Sequence, residues 1–198
     1  MTIEKGGSWG TADDVPSRAV EVDDDNAARE IVEDALGHGR ESPALLLRGG
    51  DLCRTLGGGP DRAVSGVRFA VDVGEVVIDG APHYFVAHLV ARTATWRSAF
   101  VAMNAQWVRR WNLGPKAHPG DGLLDTYEIE LEAAQLIAVR ARAGRGAHLP
   151  HPGIQERRLA AVSAEFDHAR SVRLDGCVVG RTRTLSLRVI PDALTVYI

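Results

Sequence analysis

The chain has few of the features that mark several common protein classes. It contains two cysteines in 198 residues, Cys53 and Cys177, too few for a disulfide framework and without the spacing of a metal site. No apolar run approaches the ~20 residues that cross a bilayer, and residues 1–14 hold no apolar core of a signal peptide. The sequence therefore predicts a reduced, cytoplasmic protein.

An excess of charge of one sign is also absent. The 23 Lys and Arg residues against 26 Asp and Glu residues leave a formal net charge of −3, so no overall field attracts nucleic acid. Tryptophan and arginine are interleaved over residues 96–111, but the acidic total argues against a nucleic-acid stripe, and we expect no nucleic-acid partner. The favoured interpretation is that the tryptophans of this segment belong to the hydrophobic core and the arginines to its rim. An apolar cleft for a lipid or another hydrophobic ligand is the alternative.

The first recognisable pattern along the chain is a short β-α-β unit over residues 18–51. Asp23, Asp24 and Asp25 offer an N-cap after a first strand, and the apolar residues that follow recur at helical spacing until glycines stop the helix at Gly37. A continuous apolar run at 44–47 is typical of a buried parallel strand. It ends in the sequence RGGD, at the strand end where ligands of open α/β sheets bind.

The rest of the chain is mostly strand-like. Alternating or apolar segments predict strands at 67–78, 83–91, 100–107, 123–131, 155–167, 171–174, 177–180, 184–190 and 194–198, with one helix at 132–143. Turn signals stand at Asp79-Gly80, Asp175-Gly176 and Pro191-Asp192. Short strands at this spacing indicate a β-sandwich or a barrel.

Two kinds of candidate site emerge from the residues alone. Five glycines in residues 49–61 could let main-chain N–H groups approach a phosphate, although no Walker A pattern occurs and a linker explains them as well. Asp51, Asp121 and Asp175 each stand next to a glycine, where a carboxylate could act as a base or hold a cation. A tight turn also favours Asp at each of these positions.

The order of these motifs resembles the diacylglycerol kinase family of lipid kinases, which are related to sphingosine kinases and more distantly to NAD kinases. GGDLCRT stands where the family has G-G-D-G-T, and GGGPD echoes G-T-G-N-D. The sandwich strands of the family are similar to VDVGEVVIDG and HYFVAHLV. PKAHPGDGLLD matches P-x-A-x-x-x-D-G-x-L-D, LDGC matches l-D-G-E, and VIPDALTVYI matches the final strand pair.

The resemblance implies both a fold and a set of site residues. The fold is α+β: an antiparallel β-sandwich over residues 63–198 and a small, truncated β-α-β nucleotide-binding lobe over 18–62, after a flexible N-terminus at 1–17. The implied residues that meet ATP and its Mg²⁺ are Gly49, Gly50, Asp51, Thr55, Gly57 and Gly58. Asp51 or Asp175 would take the proton of a lipid hydroxyl. Asp121 and the carbonyl of Leu123 would hold a structural Mg²⁺.

Departures from the family pattern open a second interpretation. Leu52 replaces a family glycine and could obstruct a phosphate, and Cys177 replaces the glutamate that supports the base, so Asp175 is expected to lack support. The function is then either ATP-dependent phosphorylation of a lipid hydroxyl or non-catalytic binding of a lipid or another apolar small molecule. Peripheral membrane contact and a homodimer that completes the shortened lobe are further expectations.

Overall fold

The computed structural model describes residues 9–59 and 66–198. Its helices are α1 (Asp25–Gly37), α2 (Gly50–Thr55) and α3 (Ala133–Ala143). Its strands are β1 (Thr11–Ala12), β2 (Val20–Val22), β3 (Leu45–Leu47), β4 (Val67–Ile78), β5 (Ala81–Phe85), β6 (His88–Arg92), β7 (Ser98–Met103), β8 (Trp107–Val108), β9 (Trp111–Asn112), β10 (Leu124–Glu130), β11 (Ile154–Leu159), β12 (Ala161–Leu174) and β13 (Cys177–Tyr197).

Most of the described strands join one largely antiparallel sheet, which confirms the predicted α+β class. The order along the sheet is β1-β4-β13-β12-β6-β7-β10-β11, with β5 also on β4. The two strands β2 and β3 pair in parallel, and β3 continues in parallel onto β13 through Val196–Leu45. The β-α-β unit is therefore joined to the sandwich sheet by main-chain hydrogen bonds.

The sheet bends over itself into two layers. β4 and β7 stand four places apart in strand order, which would separate them by roughly 19 Å in a flat sheet. Yet the side-chain amide of Asn104, directly after β7, donates at 2.8 Å to the carbonyls of Asp72 on β4 and of Val86. Phe100 and Phe166 meet inside the core with ring centroids 6.2 Å apart. This closure is the sandwich that the resemblance predicts.

Helix α1 forms as the sequence predicts. The side chain of Asp24 accepts the N–H of Ala27 at 2.8 Å, which caps the first turn. The apolar face packs Ala28 and Val32 into a core that also contains Leu45 and Leu52, and Ala35 is buried on the same helix. This packing fixes the start of α1 beside the start of α2.

Both predicted Asp-Gly hairpin turns are present. Asp79 and Gly80 have φ of 51° and 84°, and Asp175 and Gly176 have φ of 49° and 89°. Two successive positive φ angles are the signature of a type I′ turn, which suits the twist of a two-residue hairpin. The second turn joins the long strands β12 and β13 at one end of the sheet.

Several local predictions are corrected by the structure. The strand expected at 155–167 breaks into β11 and β12, and those expected at 177–180 and 184–190 are parts of one strand, β13. The single strand expected at 83–91 is two strands, because the N–H groups of residues 86–88 bond to the carboxylate of Asp175 instead of a neighbouring strand. Pro191-Asp192 is a bulge inside β13, with Asp192 at φ 51°. The glycine-rich segment after β3 contains a helix, α2, whose Leu52 and Cys53 are buried.

Some expectations meet the limits of the described residues. The proposed boundary at 62/63, residues 60–61 of GGGPD and residues 1–8 of the expected flexible N-terminus lie outside them. Of that N-terminus, Thr11 and Ala12 pair with β4, and Trp9 packs on Phe69. Among the residues that are described, no helix is long and apolar enough to cross a membrane.

Candidate functional site

The candidate site lies where β3 ends and α2 begins. Gly49 is the N-cap residue of α2, and Gly50 has a φ of 95°. A Cβ at Gly50 would lie 2.5 Å from the carboxylate of Asp25, so this position needs glycine for both conformation and space. The close approach places Asp51 and its main-chain N–H at the surface of a cleft.

The carboxylate of Asp25 binds the first turn of α2. Its two oxygens accept the N–H of Asp51 at 2.5 Å and the N–H of Leu52 at 3.0 Å. Burial raises the pKa of Asp25 to about 7, while the two main-chain donors oppose that rise. Sequence reasoning missed this role, because Asp25 looked like one of three interchangeable acids at a helix start.

The side chain of Asp51 contacts the β8–β9 hairpin. Its Oδ2 accepts the N–H of Arg109 at 2.8 Å. The guanidinium of Arg54 donates to the carbonyl of Arg109 at 3.0 Å and stacks 3.4 Å from the ring centroid of Trp107. The hairpin is therefore fastened along α2 and forms one wall of the cleft.

His88 faces Asp51 from β6 and was missed by the sequence analysis. It is 4% exposed, and its Nδ1 lies 3.8 Å from Oδ2 of Asp51 without a hydrogen-bond partner. Burial lowers the pKa of His88 to about 4, against the attraction of Asp51. The imidazole is neutral near pH 7 as a result. No spacing in the sequence distinguishes this histidine from an ordinary strand residue.

Asp175 reaches the same region from the β12–β13 turn. Its carboxylate accepts three main-chain N–H groups, from Val86 at 2.8 Å and from Ala87 and His88 at 2.9 Å. Burial raises the pKa of Asp175, and these donors oppose the rise by favouring the charged form. No glutamate stands at Cys177 to assist Asp175 as a base, and these main-chain donors hold the carboxylate in place.

These groups border a cleft of about 700 Å³. Its lining includes four acidic residues, Asp24, Asp25, Asp51 and Asp175, and three arginines, Arg92, Arg109 and Arg173. Trp96 and Trp111 lie at its end, edge to face with ring centroids 6.0 Å apart. Both also line an apolar cavity of about 40 Å³ beneath α3, so the same two side chains border a polar cleft and an apolar space.

Comparisons with known proteins address the fold. No protein-family model and no curated protein matches the sequence. Two solved structures of a protein assigned as a diacylglycerol kinase from Bacillus anthracis str. Sterne cover 90% of this chain, each with a TM-score of 0.65. The matches span 76% and 77% of those chains at 14% and 13% identity. The chain has the diacylglycerol kinase fold.

A third solved structure agrees with this assignment. It is a diacylglycerol kinase from the same organism, with a TM-score of 0.56 over 78% of this chain and 66% of that one, at 14% identity. The likeness is one of fold. It confirms the resemblance that the motif order indicated and the lipid-kinase-like sandwich.

The residues that the motifs assign to ATP lie at both ends of α2. Gly49, Gly50 and Asp51 stand at its start. Gly57 and Gly58 follow its last turn, where their N–H groups donate to the carbonyls of Arg54 and Cys53. The helix separates the two glycine pairs by roughly 9 Å. Of these four glycines, Gly50 is the one that lines the cleft.

The first turn of α2 does not fit a triphosphate as arranged. The N–H groups of Asp51 and Leu52 already serve Asp25. The hydroxyl of Thr55 donates to the carbonyl of Asp51 at 2.8 Å and accepts the N–H of Gln106 at 3.0 Å. The side chain of Leu52 is fully buried in the core, so the expected obstruction by that side chain is wrong. The obstacle is the carboxylate of Asp25.

The residues assigned to a structural Mg²⁺ form a separate group. Asp121 accepts the N–H of Leu123 at 3.0 Å and forms an ion pair with Arg158. Asp125, 1% exposed, lies 2.8 Å from the Nε of the same guanidinium. Burial raises the pKa of Asp125 to about 6, and Arg158 opposes that rise. Because a cationic side chain already contacts both carboxylates, this arrangement does not fit Mg²⁺.

No other metal centre is evident in residues 9–59 and 66–198, where no group of three or more His, Cys, Asp or Glu side chains is arranged to hold an ion.

Sequence reasoning also missed Asp72, which is 1% exposed on β4. Its carboxylate accepts the N–H of Gly122 at 2.7 Å and that of Asp192 at 3.0 Å. Asp72 thus holds the 115–125 segment and the β13 bulge together.

Proposed function

We propose that this chain is a lipid-kinase-like binding protein whose cleft takes the polar end of an amphiphilic lipid without transferring phosphate to it. The observation that carries the proposal is the carboxylate of Asp25 on the N–H groups of Asp51 and Leu52. A phosphate that approached the same donors would meet a buried acid and two neighbouring carboxylates. Repulsion between like charges in a partly dry cleft opposes such binding.

The shape of the cleft supports an amphiphile. Its volume of about 700 Å³ is in the range that accommodates small organic ligands. A lining that contains both carboxylates and arginines suits a polar end that carries hydroxyl or charged groups. Trp96 and Trp111, which line the cleft, also line the apolar cavity beneath α3, where Val139 and Ala143 are the buried residues of that helix. That cavity of about 40 Å³ holds the first groups of an aliphatic chain, and a longer chain requires α3 to move outward.

Binding can be measured by tryptophan fluorescence with a panel of a diacylglycerol, a sphingoid base and a lysophospholipid in detergent micelles. Trp111 lines the cleft, whereas Trp107, on the other strand of the same hairpin, stacks on Arg54. We expect Trp111→Ala to weaken binding about tenfold and the matched Trp107→Ala variant to retain it. Calorimetry with ATP and Mg²⁺ should show no heat of binding. Equal effects of the two substitutions, or no binding of any lipid, would refute the proposal.

A second candidate function is ATP-dependent phosphorylation of the hydroxyl of that lipid. It is favoured by a specific observation: a neutral imidazole, His88, and a carboxylate, Asp51, face each other in one cleft. Either group could accept the proton of a hydroxyl. This function requires Asp25 to leave the first turn of α2. Transfer of labelled phosphate to any lipid of the panel, lost in Asp51→Asn, would establish it and overturn the non-catalytic proposal.

The outer face of α3 supports peripheral contact with a membrane. Ile137 is 72% exposed. The helix and the residues just after it carry Arg140, Arg142 and Arg145 and no acidic residue, which suits an anionic lipid surface. Co-sedimentation with vesicles that contain phosphatidylserine tests this contact. We expect Ile137→Ser to reduce binding, and Val178→Ser, at another exposed apolar residue, to leave it unchanged.

A further inference from the structure

The guanidinium of Arg158 lies between two carboxylates of the 115–125 segment. Asp125 on β10 and Arg158 on β11 are directly opposite each other in the antiparallel register. The Nε of Arg158 lies 2.8 Å from the Oδ1 of Asp125. The same guanidinium also contacts the Oδ2 of Asp121, which precedes β10. One cation thus joins the loop before β10 to the buried start of that strand.

The neighbouring carboxylates have partners of their own. Asp72 is bound by the N–H groups of Gly122 and Asp192, and Glu156 pairs with Lys116 at 3.1 Å. Asp121 is 16% exposed and Asp125 1% exposed at the side chain, so both carboxylates are withdrawn from water. Two such groups in one place require a positive charge between them.

We infer that Arg158 is a built-in cation that takes the place of a divalent ion at this position, and that Asp121 and Asp125 become a divalent-cation site when its charge is removed. Mg²⁺ and Ca²⁺ bind carboxylate oxygens, which both residues supply. The 115–125 segment of the intact chain is accordingly held without a metal. This inference does not depend on whether the cleft binds lipid or transfers phosphate.

The test is the melting temperature of the full chain in a chelator and in millimolar MgCl₂ or CaCl₂. We expect the wild type to melt at the same temperature in all three conditions. Arg158→Ala should lower the melting temperature in the chelator by about 6 °C or more, and Mg²⁺ or Ca²⁺ should restore part of it. The restoration should disappear in the double variant Arg158→Ala/Asp121→Asn.

The neighbouring arginine provides a matched control. Arg157 is also on β11, pairs with exposed Glu128 at 3.7 Å and is 48% exposed, so Arg157→Ala should change little and gain no response to metal. Arg158→Lys keeps a charge and should also show no response, which matters if the alanine variant does not fold. The inference would be overturned if the chelator lowered the melting temperature of the wild type and the Asp121→Asn substitution abolished that effect. An Arg158→Ala protein that neither ion stabilises would overturn it as well.

Discussion

The carboxylate of Asp25 at the start of α1 accepts the main-chain N–H of Asp51 at the start of α2, at 2.5 Å. The contact joins two helix starts that are 26 residues apart in the chain, and it holds a buried acid in the first turn of the glycine segment. Because burial raises the pKa of Asp25 to about 7, the contact also links this site to pH. The stability of the fold and the chemistry of the cleft therefore depend on the same side chain.

The first prediction concerns the pH dependence of stability. An acid whose pKa is higher in the folded state holds its proton there while the unfolded chain releases it, so its contribution to stability falls as pH rises between about 4 and 7. Asp25→Asn should remove this loss, worth up to about 4 kcal/mol. Calorimetric unfolding at several pH values measures it. Asp34→Asn, an exposed position on the same helix, should keep the wild-type slope, and a shared slope for all three proteins would contradict the prediction.

The second prediction separates a structural role of Asp175 from a catalytic one. Asp175→Asn removes the charge and replaces one carboxylate oxygen by an NH2 donor, so at least one of the three buried main-chain N–H groups loses its acceptor. We expect a loss of about 2–4 kcal/mol of unfolding free energy in urea. Asp79 has the same type I′ position in the β4–β5 hairpin, and its carboxylate accepts the hydroxyl of Thr182 at 3.3 Å. Asp79→Asn should cost less than about 1 kcal/mol. Equal losses at the two turns would show that the N–H groups do not depend on Asp175.

The third prediction concerns the close approach of α1 and α2. Gly50 and Gly80 have similar φ angles, 95° and 84°, but only at Gly50 would a Cβ meet a neighbour, the carboxylate of Asp25 at 2.5 Å. Gly80→Ala should cost about 1–2 kcal/mol from the backbone conformation alone. Gly50→Ala should cost at least about 1 kcal/mol more, because it also displaces Asp25. Urea unfolding of both variants measures the difference, and a smaller loss at Gly50 would contradict it.

The sequence was most informative where local rules decide the structure. The cap at Asp24, the end of α1 and the two Asp-Gly hairpins follow from residue types at fixed spacing, and the structure confirms them. The break between β5 and β6 could not be predicted, because it depends on Asp175, about 90 residues away.

The same distinction applies to the candidate site. Motif order brought Asp51 and Asp175 to attention, and both border the cleft. His88 and Asp25 were missed because their roles arise when separate elements pack together. The pairing of Asp121 with Arg158 depends on the register of β10 against β11, which no local pattern of residues specifies.

The fourth prediction tests the environment of His88. Burial lowers its pKa to about 4, so the unfolded chain takes up a proton at this histidine below about pH 6.5 while the folded chain does not. Stability should therefore fall as pH falls from about 6.5 to 4, by up to about 3 kcal/mol, which opposes the contribution of Asp25 over the same range. His88→Gln should remove this loss and leave the opposite slope, to which Asp25 contributes together with Asp125 and Asp175. The exposed His168 on β12 supplies the control, because His168→Gln should leave the profile unchanged. If the pH dependence of stability is unchanged in His88→Gln, the imidazole is open to water. The structure would then give no support for a neutral His88 that acts as a base opposite Asp51.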